Sequence, residues 1–251
     1  MYQCLKPPGF CLPLALIGAL PAAAQDDSGL DKHLTLLGVP SAVTAPHGSV
    51  FASLAYATQR VNSSEDEGDG SLALGLGLGD INDGLGIQLT SQIVSLENDF
   101  ADSGFFGLKL GRRISAGQTP LYLGLSVGNF GAWGNADDND TTVDAMLTGF
   151  HLFDTGGSAP TPVMFSLGYG SHVRDRFTEP GGFAGIGVGL SPWLASSVSW
   201  YGDYGTLGVS WSPPSNRKLS ITASVVDVTD AIDERRGVFS VNFVLPKAFG
   251  G

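Results

Sequence analysis

The chain has almost no cysteine, little positive charge and no long apolar run. Its two cysteines, Cys4 and Cys11, both lie near the N-terminus, so the rest of the chain can form neither a disulfide nor a thiolate metal site. Lysine and arginine number 13 against 24 aspartates and glutamates, and the net charge of −11 disfavours nucleic acid as a partner. The roughly 20 consecutive apolar residues that a membrane-spanning helix needs are absent.

Residues 1–24 have the layout of a secretory signal peptide. Lys6 is the only charged residue of this segment, an apolar stretch runs from Phe10 to Leu20, and small residues follow at Ala22 and Ala24. This order predicts export and cleavage near Ala24. An uncleaved membrane anchor is the alternative.

Glycine is abundant, with 36 in 251 residues, and much of it alternates with apolar residues. The stretch SLALGLGLGD, residues 71–80, places leucines on one parity and Ala73 with three glycines on the other. A phosphate-binding loop would need a following helix and a lysine, which are missing. Period-two alternation instead predicts a β-strand with one apolar face and one nearly bare face.

The same alternation recurs along the chain and predicts twelve strands. Their expected ranges are 49–60, 71–79, 85–96, 105–114, 121–131, 141–153, 163–173, 183–190, 194–201, 205–212, 219–228 and 238–245. The strand 141–153 is the least regular, and we expect a β-bulge there. The second parity carries glycine, serine and threonine, whereas a soluble β-sandwich would carry charged residues on its outer face.

An apolar parity of this kind is expected to face lipid, and a sheet that spans a membrane must close on itself. The predicted fold is therefore all-β, a closed antiparallel up-and-down transmembrane β-barrel of about 12 strands over residues 48–251. Residues 25–47 form an N-terminal periplasmic or lumenal segment. If leucines face lipid, Leu76→Arg should be more costly than Gly77→Ser.

The acidic residues divide unevenly between the two ends of this barrel. Sixteen of the 24 lie in loops that follow odd-numbered strands, and three lie in loops that follow even-numbered strands. One end is therefore acidic. With the N-terminus in the periplasm, the acidic end faces the outside of the cell.

The signal peptide and the alternating strands of residues 48–245 resemble the outer-membrane β-barrel proteins of Gram-negative bacteria. The resemblance implies a place in the cell outer membrane, contact with its lipid and lipopolysaccharide, insertion by the barrel-assembly machinery, and porin-like passage of ions or small polar solutes. It sets no oligomeric state. Such barrels commonly end on an aromatic residue, whereas this chain ends in PKAFGG. Either Phe243 or Phe249 serves as the aromatic insertion signal, or this signal is weaker than usual.

Two other functions stay open from the sequence. One is a structural or adhesion barrel with a filled lumen, and the other is an outer-membrane hydrolase. His172 and Asp175 lie near the outer rim, where the resemblance would place catalytic groups, but no serine stands in a nucleophile motif. The acidic runs 64–70 and 136–140 do not have the spacing of an EF-hand. We therefore expect no enzyme, no catalytic residue, no metal and no cofactor.

Seven polar side chains are expected to line the lumen because of their parity. They are Gln88, Gln92, Lys109, Arg113, Tyr122, Asp144 and His172. The charges among them form either a ladder that sets ion preference or a buried ion pair. On the outer face, Arg112 is expected to reach the headgroups. An interfacial aromatic girdle is expected from Trp133, Trp193, Trp200, Trp211, Tyr201 and Tyr204.

The many inward glycines leave the state of the lumen open. Side chains alone fill a barrel of about eight strands, so a wider one is either open to water or occupied by another part of the chain. The candidate occupant is the segment Gln25 to His47, which has few charges. Of the open and the occupied lumen, the sequence favours the first, as an open or partly constricted pore.

We predict that the mature protein fractionates with outer membranes and is heat-modifiable on gels. A closed barrel keeps its folded mobility in detergent until it is heated, because all of its strand edges are paired. Extraction and electrophoresis with and without heating test this. Recovery of the mature chain as a soluble periplasmic monomer would contradict the membrane assignment.

Overall fold

The computed structural model describes residues 31–59, 68–94, 96, 100–157, 159–233 and 235–250. The predicted signal peptide lies outside these residues. Twelve antiparallel strands form one closed barrel in chain order, with the first strand paired to the last. They are β1 (Val50–Ala57), β2 (Asp69–Gly79), β3 (Gly86–Ile93), β4 (Gly104–Ser115), β5 (Leu121–Trp133), β6 (Thr142–Phe153), β7 (Thr161–Arg174), β8 (Glu179–Ser191), β9 (Leu194–Tyr201), β10 (Tyr204–Trp211), β11 (Leu219–Val226) and β12 (Arg236–Leu245). The up-and-down barrel predicted from the sequence is confirmed.

The strands form because their side chains alternate between two environments. On β2, Leu74 is 49% exposed on the outer surface whereas Ala73 is fully buried inside. The other strands repeat this division, with leucine, valine, isoleucine and phenylalanine outside and glycine, serine and threonine inside. The outer surface is therefore an apolar band, as a lipid-facing barrel requires.

Three tryptophans of the expected aromatic girdle lie where the sequence placed them, but two tyrosines do not. Trp193, Trp200 and Trp211 are exposed near strand ends. Tyr201 and Tyr204 flank the two-residue turn between β9 and β10 and point inward, 8% and 3% exposed. The girdle assignment of these tyrosines is wrong, because both have the inward parity of their strands.

The bulge expected in β6 is absent. This strand pairs with β5 and with β7 without a register shift, because its inward residues, from Asp144 to Phe150, alternate regularly. Register shifts occur instead between β4 and β5, between β7 and β8, and between β8 and β9. In β5 the irregularity includes Asn129, which has a φ of 55°, a value that asparagine tolerates better than most residues.

Two features outside the strands matter for the site. Residues 31–49 precede β1 and are largely buried; we call them the strap. The barrel end at which the strap joins β1 is called the strap end, and the opposite one the acidic end. The connection between β5 and β6 contains a short 3-10 helix, Gly134–Asp138. Among the described residues, no helix is long and apolar enough to span a bilayer.

We predict that Leu76→Arg lowers the free energy of unfolding by about 2–4 kcal/mol, the cost of an arginine on the lipid face at mid-bilayer. The matched lumen-side control is Gly128→Ser, because a Cβ at Gly128 meets only the Thr142 hydroxyl within 4 Å. Urea unfolding of both variants in lipid vesicles measures the difference. Equal losses in the two variants would show that the facing of the strands is wrong.

Candidate functional site in the barrel lumen

The strap is anchored to the wall at the strap end of the barrel. The backbone N–H of His33 donates to the carbonyl oxygen of Ser191 at 2.9 Å, and its ring Nε2 lies 2.7 Å from the Ser210 hydroxyl. Nearby, the Lys32 ammonium donates to Thr161 at 2.9 Å. Burial, followed by the charge of Arg217, lowers the pKa of His33 to about 4, so the ring is neutral at pH 7.

From this anchor the strap runs deeper along β9. The N–H of Leu37 donates to Ser197 Oγ at 3.2 Å, and Ser199 Oγ donates to the Leu37 carbonyl at 2.8 Å. Gly38 follows with a φ of 84°, where a Cβ would overlap Ser199. Glycine is required here because the strap turns against the wall in a left-handed conformation.

The strap then passes β7, β6 and β3 on its way to β1. Ser166 Oγ donates to the Pro40 carbonyl at 2.8 Å, and the N–H of Ala42 donates to Thr148 Oγ1 at 2.8 Å. Closer to β1, the N–H of Ala45 donates to Gln88 Oε1 at 3.0 Å. Wall side chains therefore satisfy strap backbone groups that have no strand partner, as buried amides and carbonyls require.

The inward glycines form the surface on which the strap lies. A Cβ would overlap or closely approach strap atoms at Gly77, Gly111, Gly124, Gly185, Gly187, Gly189 and Gly208. The inward glycine face of β2 is thus part of the surface on which the strap packs. At Gly77 the obstacle is the backbone of Ala45 and Pro46. Gly77→Ser is therefore not a small change, since a serine there must displace the strap, and the greater cost of Leu76→Arg stays a prediction.

The strap contributes apolar side chains to a core inside the barrel. Leu34, Leu36 and Val39 are 0% exposed and belong to one cluster with Met146 of β6 and Met164 of β7. The strap-end half of the lumen is occupied, and the preference for an open pore does not hold there. The sequence could not decide this, because small inward residues suit water and a packed segment equally.

The C-terminal residues secure the strap where it leaves the lumen. The Gly48 carbonyl accepts bonds from the N–H groups of Ala248 at 2.7 Å and Phe249 at 3.2 Å. The Phe249 ring packs edge-on against His47, with 6.2 Å between centroids. Phe243, by contrast, lies on the outer face of β12 and is 37% exposed.

Three of the seven side chains expected in the lumen lie on one row of the inner wall. Strand pairing aligns Gln88 with Lys109, Lys109 with Ser126, and Ser126 with Asp144. Lys109 Nζ donates to the Val43 carbonyl of the strap at 3.3 Å, and Asp144 Oδ2 accepts a bond from Ser126 at 3.0 Å. No ion pair joins the two charges in the described part of the chain.

The other four lie nearer the barrel ends. Arg113 pairs with Tyr122 at the strap end, where the Tyr122 hydroxyl donates to Asn82 Oδ1 at 3.2 Å. Gln92 is 1% exposed towards the acidic end, beside Phe105. His172 lies near the acidic rim, in the register shift that follows Gly170, and the next residue, Val173, is buried.

The surroundings of His172 resemble a catalytic arrangement but have a structural explanation. Ser171 Oγ lies 2.8 Å from His172 Nδ1, and His172 Nε2 lies 3.6 Å from Asp140 Oδ2. The same serine oxygen accepts the N–H of Val143 at 2.9 Å. It therefore satisfies a backbone group beside the register shift. Over the described residues, no three His, Cys, Asp or Glu side chains are placed to hold a metal.

An aromatic cluster at the acidic end was not foreseen from the sequence. Phe177, from the connection between β7 and β8, packs on Tyr201 and Tyr204, and Phe183 stacks on Tyr201 at 5.5 Å. Asp203 Oδ2 accepts the N–H of Asp175 and holds this connection inward. Residues 175–177 of this connection all have positive φ, and their side chains do not predict this backbone conformation.

We predict that Gly187→Ala loosens the strap, because the new methyl group would overlap the Thr35 carbonyl. Overpacking of this kind costs about 1–3 kcal/mol. The readout is thiol labelling of Ser41→Cys, a near-isosteric change at a buried strap residue. Labelling should accelerate with Gly187→Ala and stay slow with Gly182→Ala, a control on the same strand whose Cβ would meet only the Gly168 carbonyl at 3.7 Å, an ordinary contact. Equal labelling rates in both backgrounds would refute the contact.

The sequence matches no protein-family model and no curated protein. The structure is similar to the KdgM porin solved in complex with disordered oligogalacturonate, with a TM-score of 0.53, 9% identity, and coverage of 79% of this chain and 98% of the porin. An outer-membrane channel from Pseudomonas putida F1 matches with a TM-score of 0.48, 11% identity and coverage of 83% and 98%. The outer membrane protein Omp33 of Acinetobacter baumannii matches with a TM-score of 0.45, 10% identity and coverage of 78% and 96%. The chain thus has the closed-barrel fold of porin-like outer-membrane proteins.

Proposed function

We propose that the chain is an outer-membrane channel for ions or small polar solutes, and that its own strap controls the strap-end half of the lumen. The acidic end faces the outside of the cell and the strap end faces the periplasm. The strap from His33 to Pro46, bonded to the inner wall, is the observation that carries the proposal. The porin-like fold supports it at the level of architecture.

Control by the strap is supported by the type of its contacts. Within the lumen, its backbone bonds from Leu37 to Ala45 run to wall side chains, such as Ser197, Ser166 and Thr148. The strand-to-strand ladder that closes the barrel does not depend on them. The strap can therefore leave the wall while the barrel stays closed.

The second candidate is a structural barrel whose lumen is permanently filled. Complete burial of Leu34, Leu36 and Val39 favours it, because releasing apolar side chains into water is costly. The two candidates differ in whether the strap ever leaves the lumen. In either case, we expect the outer face to contact lipid and lipopolysaccharide, and β12 with Phe243 to be read by the assembly machinery.

We predict that deleting residues 25–46 raises single-channel conductance several-fold in planar bilayers, because the occupant of the strap-end half is removed. A second variant keeps the length of the chain and replaces residues 33–45 with glycine and serine. It should also raise conductance, because it lacks the apolar side chains that anchor the strap. Unchanged conductance in a deletion variant that folds normally would show that the strap does not limit passage.

A further inference from the structure

A polar part of the inner wall of β4 to β6, which we call the recess, lies beside the strap, towards the acidic end. It consists of Gly107, Lys109, Ser126, Gly128 and Asp144, all of which are half-buried. Lys109 and Asp144 are separated by one strand, so their Cα atoms lie two strand spacings apart, about 9–10 Å. The strap carbonyl of Val43 and the bond between Ala45 and Gln88 border its lower edge.

The two glycines of the recess differ from those under the strap. A Cβ at Gly128 would meet only the Thr142 hydroxyl, and one at Gly107 would meet Thr90 and, at 3.8 Å, the Val127 carbonyl. Neither Cβ would touch the strap, whereas a Cβ at Gly111 or at the other glycines under the strap would. At these two glycines the wall is therefore bare and has no strap atom against it.

Neither charge of the recess has an ion-pair partner in the part of the chain that the structure describes. Within the described residues, no carboxylate lies within ion-pair distance of Lys109, and no basic group lies within that distance of Asp144. His172 is a basic neighbour of Asp144 that lies beyond ion-pair distance. Charges held inside a membrane barrel without a partner are costly, and they commonly mark a site for a ligand or an ion.

We propose that this recess binds a small zwitterionic solute of the amino-acid class. The carboxylate of the solute lies on the Lys109 ammonium, and its own ammonium lies on the Asp144 carboxylate. Ser126 lies between the two charges and already donates to Asp144, which orients that carboxylate. The proposal rests on the proposed function, since a solute-binding recess beside the strap presupposes a channel.

Calorimetric titration of the full-length protein in detergent at pH 7 tests the pairing of charges. The probes are glycine, 4-aminobutyrate and 6-aminohexanoate, which carry both charges at increasing separations, and butyrate and butylammonium, which carry one each. At least one zwitterion should bind ten-fold or more tightly than either single-charge probe. Equal or weaker binding of all three zwitterions overturns the proposal without any variant being needed.

Variants then locate the site. Lys109→Met and Asp144→Asn should each reduce zwitterion binding to the level of the single-charge probes. Arg112→Met removes a neighbouring cation on the outer face of the same strand, and Asp154→Asn removes an exposed anion at the strap end; both should bind normally. The double exchange Lys109→Asp with Asp144→Lys should restore binding. Normal binding by both single variants would place the solute elsewhere and overturn the assignment.

Binding and conduction are separate readouts, so the two proposals can fail separately. Loss of the expected binding together with a conductance rise on strap deletion would reject the recess and keep the strap as the segment that limits passage. Tight zwitterion binding with unchanged conductance on deletion would support the recess as a ligand site and reject strap control.

Discussion

Every buried backbone amide and carbonyl needs a hydrogen-bond partner, and this requirement governs both parts of the molecule. The wall meets it by closing twelve strands into a ring. The strap is not a strand of that ring, and it meets the requirement through wall side chains, such as Ser199 on the Leu37 carbonyl and Thr148 on the Ala42 amide. Serine and threonine on the inner parity are therefore the partners of the strap, and the glycines between them make room for it.

The lumen is unevenly filled as a result. The strap and the methionines of β6 and β7 pack the strap end, and Phe177 with Tyr201 and Tyr204 covers part of the acidic end. The wall around Lys109 and Asp144 is left half-exposed. The molecule thus combines an apolar core, which is costly to open, with a polar recess on one side. The proposed control of passage by the strap depends on this combination.

Period-two alternation was enough to predict the strands and the barrel, because the facing of a residue in a strand depends only on its parity. The position of the strap was harder to predict, because glycine on the inner face is compatible both with water and with a packed segment. The low charge of residues 25–47 was the available sign that this segment could occupy the lumen. Register shifts were misplaced for a related reason: Gly149 and His151 made β6 look irregular, whereas the shift after Gly170 left no mark in the alternation. The inward turn of Phe177 depends on backbone angles that the sequence does not reveal.

Oxidative cross-linking within the folded barrel tests the position of the strap most directly. The two cysteines of the chain lie in the predicted signal peptide, so introduced thiols are the only ones in the mature chain. Leu37→Cys with Ser197→Cys pairs two residues whose amide and hydroxyl lie 3.2 Å apart. Leu37→Cys with Ser126→Cys is the control, since Ser126 is on the recess wall. A fast intramolecular disulfide in the first pair alone is the predicted result. No disulfide in the first pair, or equal rates in both, would contradict a strap bound to β9.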